Sequence, residues 1–287
     1  MSTIEPSVPS RSRQVKKLDR LHWPAIARLT VYGVRIGLRA NALEFIDPLL
    51  SRIPSGFGTE SSGPIDRLYS VIGDTKPRAD EKRRDCNFHF ANGRRLAGGT
   101  SWEDVCDSFE ADLEVLVATR SRNALFIHAG AVSWKDKAIV IPGESHSGKT
   151  TLVQAFLELG ATYYSDEFAV LDSEGQLHPF PRALRVRSNL AGKKISAAEF
   201  GVATGVAPAQ VRLVILTRHV PGLRWRPKAL SQGEAILGMI QNSLNAQRHP
   251  ELALSALQRA TDAAHVLGGT RGEAKDTARW AVQHLNR

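Results

Sequence analysis

The sequence predicts an α/β fold with α+β character. Three observations carry that prediction. Two apolar β-type runs, Ala124 to Val132 and Ala138 to Pro142, lead into a glycine-bounded loop that opens a helical stretch. Ahead of them, short strand-like runs alternate with Gly, Pro and Asn turn signals. Behind them, three helical stretches close the chain. The organisation that follows is a disordered basic N-terminus over 1–20, a small α+β module over 21–121, and a strand–loop–helix domain with a helical C-terminal segment over 122–287. With 287 residues, 42% hydrophobic and 23% charged, the chain can bury a sizeable core, which excludes a mostly disordered protein.

Each element has a local reason. Residues 1–20 are polar, basic and rich in Ser and Pro. Ala25 to Leu38 carries a β-type run with Val31, Val34 and Ile36 as apolar members. Asn41 to Ile53 places Leu43, Ile46 and Leu50 at helical spacing, with Pro48 inside to kink or split it. Pro54 to Pro64 is a Gly/Ser/Pro loop, Arg67 to Ile72 a strand, and Gly73 to Asp85 a charged loop. Cys86 to Leu96 reads as a hairpin turning at Asn92-Gly93. Trp102 to Thr119 is a helix capped by Ser101, with Glu103 and Asp104 in its first turn and Phe109, Leu113, Val115, Leu116 and Val117 on its apolar side. Past the glycine-bounded loop, Lys149 to Leu159 is helical and Thr162 to Leu171 is a strand; shorter strands follow at Ala183 to Arg187 and Val211 to Thr217. Helices then run over 231–245, 250–265 and 271–285, two of them opened by the capping boxes Ser231-x-x-Glu234 and Thr270-x-x-Glu273.

The formal charge is +9, and it is localised. Between Gln176 and Gly233 stand ten basic residues and one acid, Glu199; the rest of the chain is balanced. Such a stretch asks for an anionic partner. Nucleic acid is disfavoured, because Trp225 alone among the stretch's aromatics stands directly between two arginines and no zinc spacing or RNP-type motif is present. No apolar run is long enough to span a membrane, and the N-terminus lacks the apolar stretch of a signal peptide. The two cysteines, Cys86 and Cys106, fit neither a metal-ligand nor a CxxC pattern. A reduced, cytoplasmic protein is the expectation, with no membrane partner; a homo-oligomer stays open.

Residues 143–150 read GESHSGKT and match G-x-x-x-x-G-K-[ST] at every fixed position. Gly143 and Gly148 allow a tight turn that brings backbone N–H groups to phosphate oxygens. The following helix N-terminus adds unpaired N–H groups and partial positive charge. Lys149 would neutralise the β/γ-phosphates of ATP, and Thr150 would place a hydroxyl on Mg²⁺. Glu144, Ser145, His146, Ser147 and Thr151 complete the nucleotide-binding set. His146 stands where phosphate binding needs no side chain; it is either an exposed loop residue or one that touches substrate.

A loop of this type gives a nucleotide, not a reaction. Asp166 and Glu167 lie in a β-run only 16 residues after Thr150, whereas the late apolar strand VRLVILTRH ends in Thr217-Arg218 rather than in an acid, and no LSGGQ-like segment exists. The combination IHAG…IPGESHSGKTTL…GATYYSDEFAVL resembles the catalytic domain of the HPr kinase/phosphorylase family, related in its core to the ATP-dependent phosphoenolpyruvate carboxykinases. The resemblance covers about residues 123–190. It implies a P-loop kinase-like core, ATP and Mg²⁺ as cofactors, and phosphoryl transfer to a serine hydroxyl. It makes Asp166 the base, Glu167 a Mg²⁺ ligand with Thr150, and places His128 and Lys149 beside the transferred phosphate. On the residues alone, His128 is equally a core histidine satisfied by a backbone carbonyl, and Asp166 and Glu167 an acid pair at a strand edge.

The chain departs from the family at three points. His146 replaces a usual glycine, Glu167 a usual Asp, and RALRVRSNLAGKK stands where a glycine-rich signature associated with the reverse reaction is expected. The implied function is therefore an ATP-dependent protein or peptide serine kinase, similar to HPr-kinase-like proteins found beside peptide-modification genes, with the acceptor and the reverse reaction left open. A catalytically weak ATP-binding regulator and a small-molecule kinase are the alternatives. Arg218, Arg224 and Arg226, in the loop RHVPGLRWRPK, would clamp nucleotide or an acidic peptide, or simply be solvated; Arg185 and Arg187 share one face of a short strand with the same two readings.

Overall fold

Tight two-residue turns shape the first sheet. Tyr32 and Gly33, at φ 47° and 78°, and Asn92 and Gly93, at φ 47° and 81°, each take the left-handed conformation that suits a hairpin's twist. The structure is a computed structural model that describes residues 13–53, 58–59, 63–75, 86–144, 147–182, 184–186, 193–195, 197, 199 and 201–286. The chain divides into two compact units, Met1–Val117 and Ala118–Arg287.

In the first unit, α1 (Arg13–Asp19) precedes β1 (Ala25–Val31), β2 (Val34–Ala40), α2 (Ile46–Leu50), β3 (Gly58–Thr59), β4 (Arg67–Ile72), β5 (Asn87–Ala91), β6 (Arg94–Thr100) and most of α3 (Trp102–Arg120). The strand order is β3-β1-β2-β4-β5-β6. Four expectations are corrected. Residues 13–19 are helical, with Leu18 buried, rather than disordered. The 25–38 run is a hairpin, because Tyr32-Gly33 turns it back on itself. The 41–53 stretch splits into a 3₁₀ turn, Leu43–Phe45, and α2; Pro48 sits in the first turn of α2, where its missing N–H costs nothing. In α3, Val115 is exposed: Val105, Phe109, Leu113 and Leu116 make the buried stripe, and Val115 falls off its spacing. Ser101 caps this helix, its hydroxyl accepting from Asp104 N–H at 3.1 Å while the Asp104 carboxylate accepts from Ser101 N–H.

In the second unit, β7 (Leu125–Trp134) and β8 (Lys137–Pro142) form a hairpin, followed by α4 (Lys149–Glu158), β9 (Thr162–Ser165), β10 (Phe168–Leu171), β11 (Gln176–His178), β12 (Leu184–Val186), β13 (Lys193–Ile195), β14 (Ala209–His219), β15 (Lys228–Ala229), α5 (Gln232–Gln241), α6 (Pro250–Asp262), β16 (His265–Arg271) and α7 (Ala274–Leu285). The main sheet runs β11-β10-β7-β8-β14-β16-β15, with β9 also on β7. β8, β14 and β16 are mutually parallel. Their residues alternate between two apolar layers. Ala138 and Val140 pack toward α5 and α6, through Ala235, Met239, Ala256 and Leu257. Ile139 and Ile141 pack toward α4 and α7, through Leu152, Phe156, Ala278 and Val282. A parallel strand covered on both faces is apolar where it is buried, which is why Ala138–Pro142, AIVIP, reads as one unbroken run.

The helical tail is also corrected. His265–Arg271 is a strand pairing β14 from Leu213 to His219, not the junction of two helices. Thr270 lies in that strand, so the second capping box does not form; α7 begins after Glu273 with no side-chain cap. The first box does form, between Ser231 and Glu234. No helix among the described residues is long and apolar enough to cross a membrane.

Candidate active site

The loop after β8 delivers Lys149 to the first turn of α4. Gly148 precedes it as N-cap at φ 88°, a left-handed conformation that favours glycine. A Cβ on Gly148 would also overlap the Arg271 guanidinium, and one on Gly143 would sit 2.8 Å from Ser147 Oγ. Lys149 is only 7% exposed. Its ammonium donates to the carbonyl oxygens of Gly143 and Glu144, each at 2.8 Å. Burial lowers its pKa, while Glu167, Asp166 and Glu144 pull it back up by charge attraction. Thr150 is half-buried and Thr151 exposed on the same turn; Ser145 and His146 lie outside the described residues. Ser147 Oγ is buried with no hydrogen-bond partner among them.

The two acids interrupt their strand. Ser165 and Phe168 keep register on β7, opposite Ala131 and His128, but Asp166 and Glu167 leave the regular strand between them. The Ser165 hydroxyl is the local cause: it accepts from Glu167 N–H at 3.3 Å and from Phe168 N–H at 3.1 Å. The acids then diverge. Asp166, 8% exposed, accepts a hydrogen bond from Tyr163 Oη at 2.9 Å, and burial raises its pKa. Glu167 reaches His128 Nε2 at 3.4 Å; that hydrogen bond leads the effects that hold its carboxyl below the usual range. The charge of Arg182 acts on both acids, lowering each pKa.

His128 joins the pieces. Its N–H donates to Asn242 O at 2.7 Å and its carbonyl accepts from Gly143 N–H at 3.2 Å, so the first residue of the loop is pinned to the strand that carries the imidazole. The structure therefore draws Lys149, Asp166, Glu167 and His128 into one electrostatic neighbourhood. Arg185 is on β12, but its side chain and all of Arg187 lie outside the described residues. Arg218, Arg224 and Arg226 are exposed. The strand end carrying Arg218 lies by the loop, since His219 Cβ would be 3.5 Å from a Cβ on Gly148.

Two residues escape sequence reasoning. Tyr163 shows only as a strand aromatic three before Asp166. Arg271 is hidden in the segment read as helix. At 2% exposure it is the bulkiest buried side chain among the described residues. Its Nη2 donates to Gly148 O at 2.8 Å and its Nη1 to Gly272 O at 3.0 Å. Burial lowers its pKa, with Glu273 opposing. The one signal for it is an arginine set between Gly268-Gly269 and Gly272 at the end of an apolar run.

The donor set fits a phosphate chain. A buried ammonium, an orphaned buried hydroxyl and a helix N-terminus without a side-chain cap all want an anion. Among the described residues no group of three or more His, Cys, Asp or Glu side chains could hold a metal ion by itself. Mg²⁺ does not need one, because it keeps waters and binds through one or two protein oxygens together with phosphates. Thr150 and Glu167 offer such oxygens.

Neither a family model nor a curated protein sequence matches the chain. Among solved structures, the Hpr(Ser) kinase/phosphatase from Coxiella burnetii is similar at 15% identity and a TM-score of 0.33, over 56% of this chain and 88% of that one. The likeness is distant.

Proposed function

We propose that the chain is an ATP-dependent protein or peptide serine kinase. The observation that carries this reading is the charge coupling of one buried lysine on a glycine-bounded loop to two adjacent carboxylates whose pKa values move in opposite directions. Paired acids pushed apart in this way divide their work. Asp166, raised, is the group suited to accept the serine proton, with Tyr163 orienting its carboxylate. Glu167, lowered, stays ionised and is suited to hold a cation with Thr150. His128 fixes the rotamer of Glu167. Lys149 and the amides of Gly143 to Thr150 neutralise and orient the phosphates. Thr150 and Glu167 would hold Mg²⁺, whose positive charge would offset the charge that develops in transfer.

The test is to incubate the protein with Mg²⁺, γ-labelled ATP and the peptides encoded near its gene. Label appearing on serine, and lost in Lys149→Ala and Asp166→Asn, supports the reading. ATP bound without transfer to any acceptor points to the regulator instead, and label on a metabolite to a small-molecule kinase.

A further inference from the structure

A cavity of about 330 Å³ opens between α4 and α7. Both walls begin at the phosphate loop. On one side Thr151, Gln154, Ala155 and Glu158 follow Lys149 down α4. On the other, Glu273 to Asp276 follow Arg271, whose guanidinium bonds Gly148 O. The two helices that wall the cavity thus both start from the C-terminal ends of parallel β8 and β16, the side on which open α/β sheets place ligands. Its volume is at the low end of small-molecule sites.

Its chemistry separates two kinds of occupant. Five charged side chains line it: Glu158, Glu273, Asp276, Lys275 and Arg279. Four cancel in pairs, Lys275 with Glu158 at 2.8 Å and Arg279 with Asp276 at 3.7 Å. Glu273 is left over, so the lining has no surplus cation to welcome a further anion. A carboxylate suits hydroxyl donors such as a ribose diol. Ala155 and Ala274 give an apolar floor for a planar ring. Gln154, on the same lining, has a buried Nε2 donor with no hydrogen-bond partner among the described residues.

We infer that this cavity holds the nucleoside, base and ribose together, of the nucleotide whose phosphates the 143–150 loop cradles; Gln154 would read the base edge and Glu273 the ribose. The inference rests on the nucleotide reading above. Titration of the full chain with Mg·ATP and, separately, Mg·tripolyphosphate tests the two apart. The wild type should bind ATP about tenfold or more tighter than tripolyphosphate. Filling the cavity with Gln154→Trp should bring the ATP affinity down to that of tripolyphosphate while leaving tripolyphosphate within about twofold. Lys275→Trp, from the opposite wall, should show the same split. Equal wild-type affinities, or variants that leave ATP unchanged or weaken both ligands together, overturn the nucleoside site and spare the loop. A wild type that binds neither ligand overturns the nucleotide reading and this inference with it.

Discussion

Each unit buries a cluster of titratable side chains. In the first, Asp112 accepts from Arg67 at 2.7 Å and from Tyr69 Oη at 2.8 Å, and His89 Nδ1 meets Ser108 Oγ at 3.1 Å among the rings of Tyr69 and Phe109. Burial pushes His89 down to about 4 and Tyr69 well up, so both are held neutral. The one charged pair is self-contained. In the second, Lys149 is held by carbonyls rather than by a carboxylate, and its neighbouring acids shift in opposite directions. A displaced pKa alone therefore does not mark a site here. What distinguishes the second cluster is charge left for a ligand beside an open helix N-terminus.

That contrast can be broken experimentally. Lys149→Ala should raise the Kd for Mg·ATP about a hundredfold or more, read by titration calorimetry, because it removes a charged donor from the phosphates. His89→Leu should leave the same affinity within about twofold, since its cluster answers only to folding. The folded pKa of His89 lies below the ordinary 6.5. Its contribution to stability is therefore complete above about pH 6.5 and is lost as pH falls toward about 4, a loss on the order of 3 kcal/mol. Hydrogen exchange of the β4 and β5 amides, corrected for intrinsic rates, should show that loss in the wild type and not in His89→Leu.

Smaller effects sharpen the second cluster. Arg271→Met removes the bond to Gly148 O that ties the end of β16 to the loop, together with the local bond to Gly272 O, and should weaken Mg·ATP about tenfold, with Arg271→Lys intermediate. Neutralising Arg218, Arg224 and Arg226 together should cost only a few-fold in nucleotide or peptide affinity, and the difference should shrink as salt rises, because exposed charges are screened. Unchanged affinities at low salt would make those arginines solvated surface.

The loop, the acid pair and His128 were legible because each depends on residue type at fixed spacing within a few residues. What escaped was tertiary. HVLGGTR has two glycines and only two strongly apolar residues, so nothing local marks it as a strand; β14 imposes the pairing. Arg271 followed it out of view. The break at Asp166–Glu167 depends on a serine hydroxyl taking two backbone N–H groups, which no hydrophobic period records. Tyr32-Gly33 lacks the usual Asn or Asp, and the apolar run continues through it.

The most direct measurement pairs two readouts on Asp166→Asn: the melting temperature and the transfer of γ-phosphate to a serine acceptor. Burial raises the folded pKa of Asp166, so its ionised form at neutral pH costs stability, and that cost grows as pH rises above the ordinary carboxylate range. Asparagine removes the charge and keeps an oxygen for Tyr163. Transfer should fall about a hundredfold or more while the melting temperature rises, by ~2–4 °C for each kcal/mol recovered. A variant that transfers phosphate like the wild type, or one that loses transfer only by losing its fold, would contradict Asp166 as the base of this site.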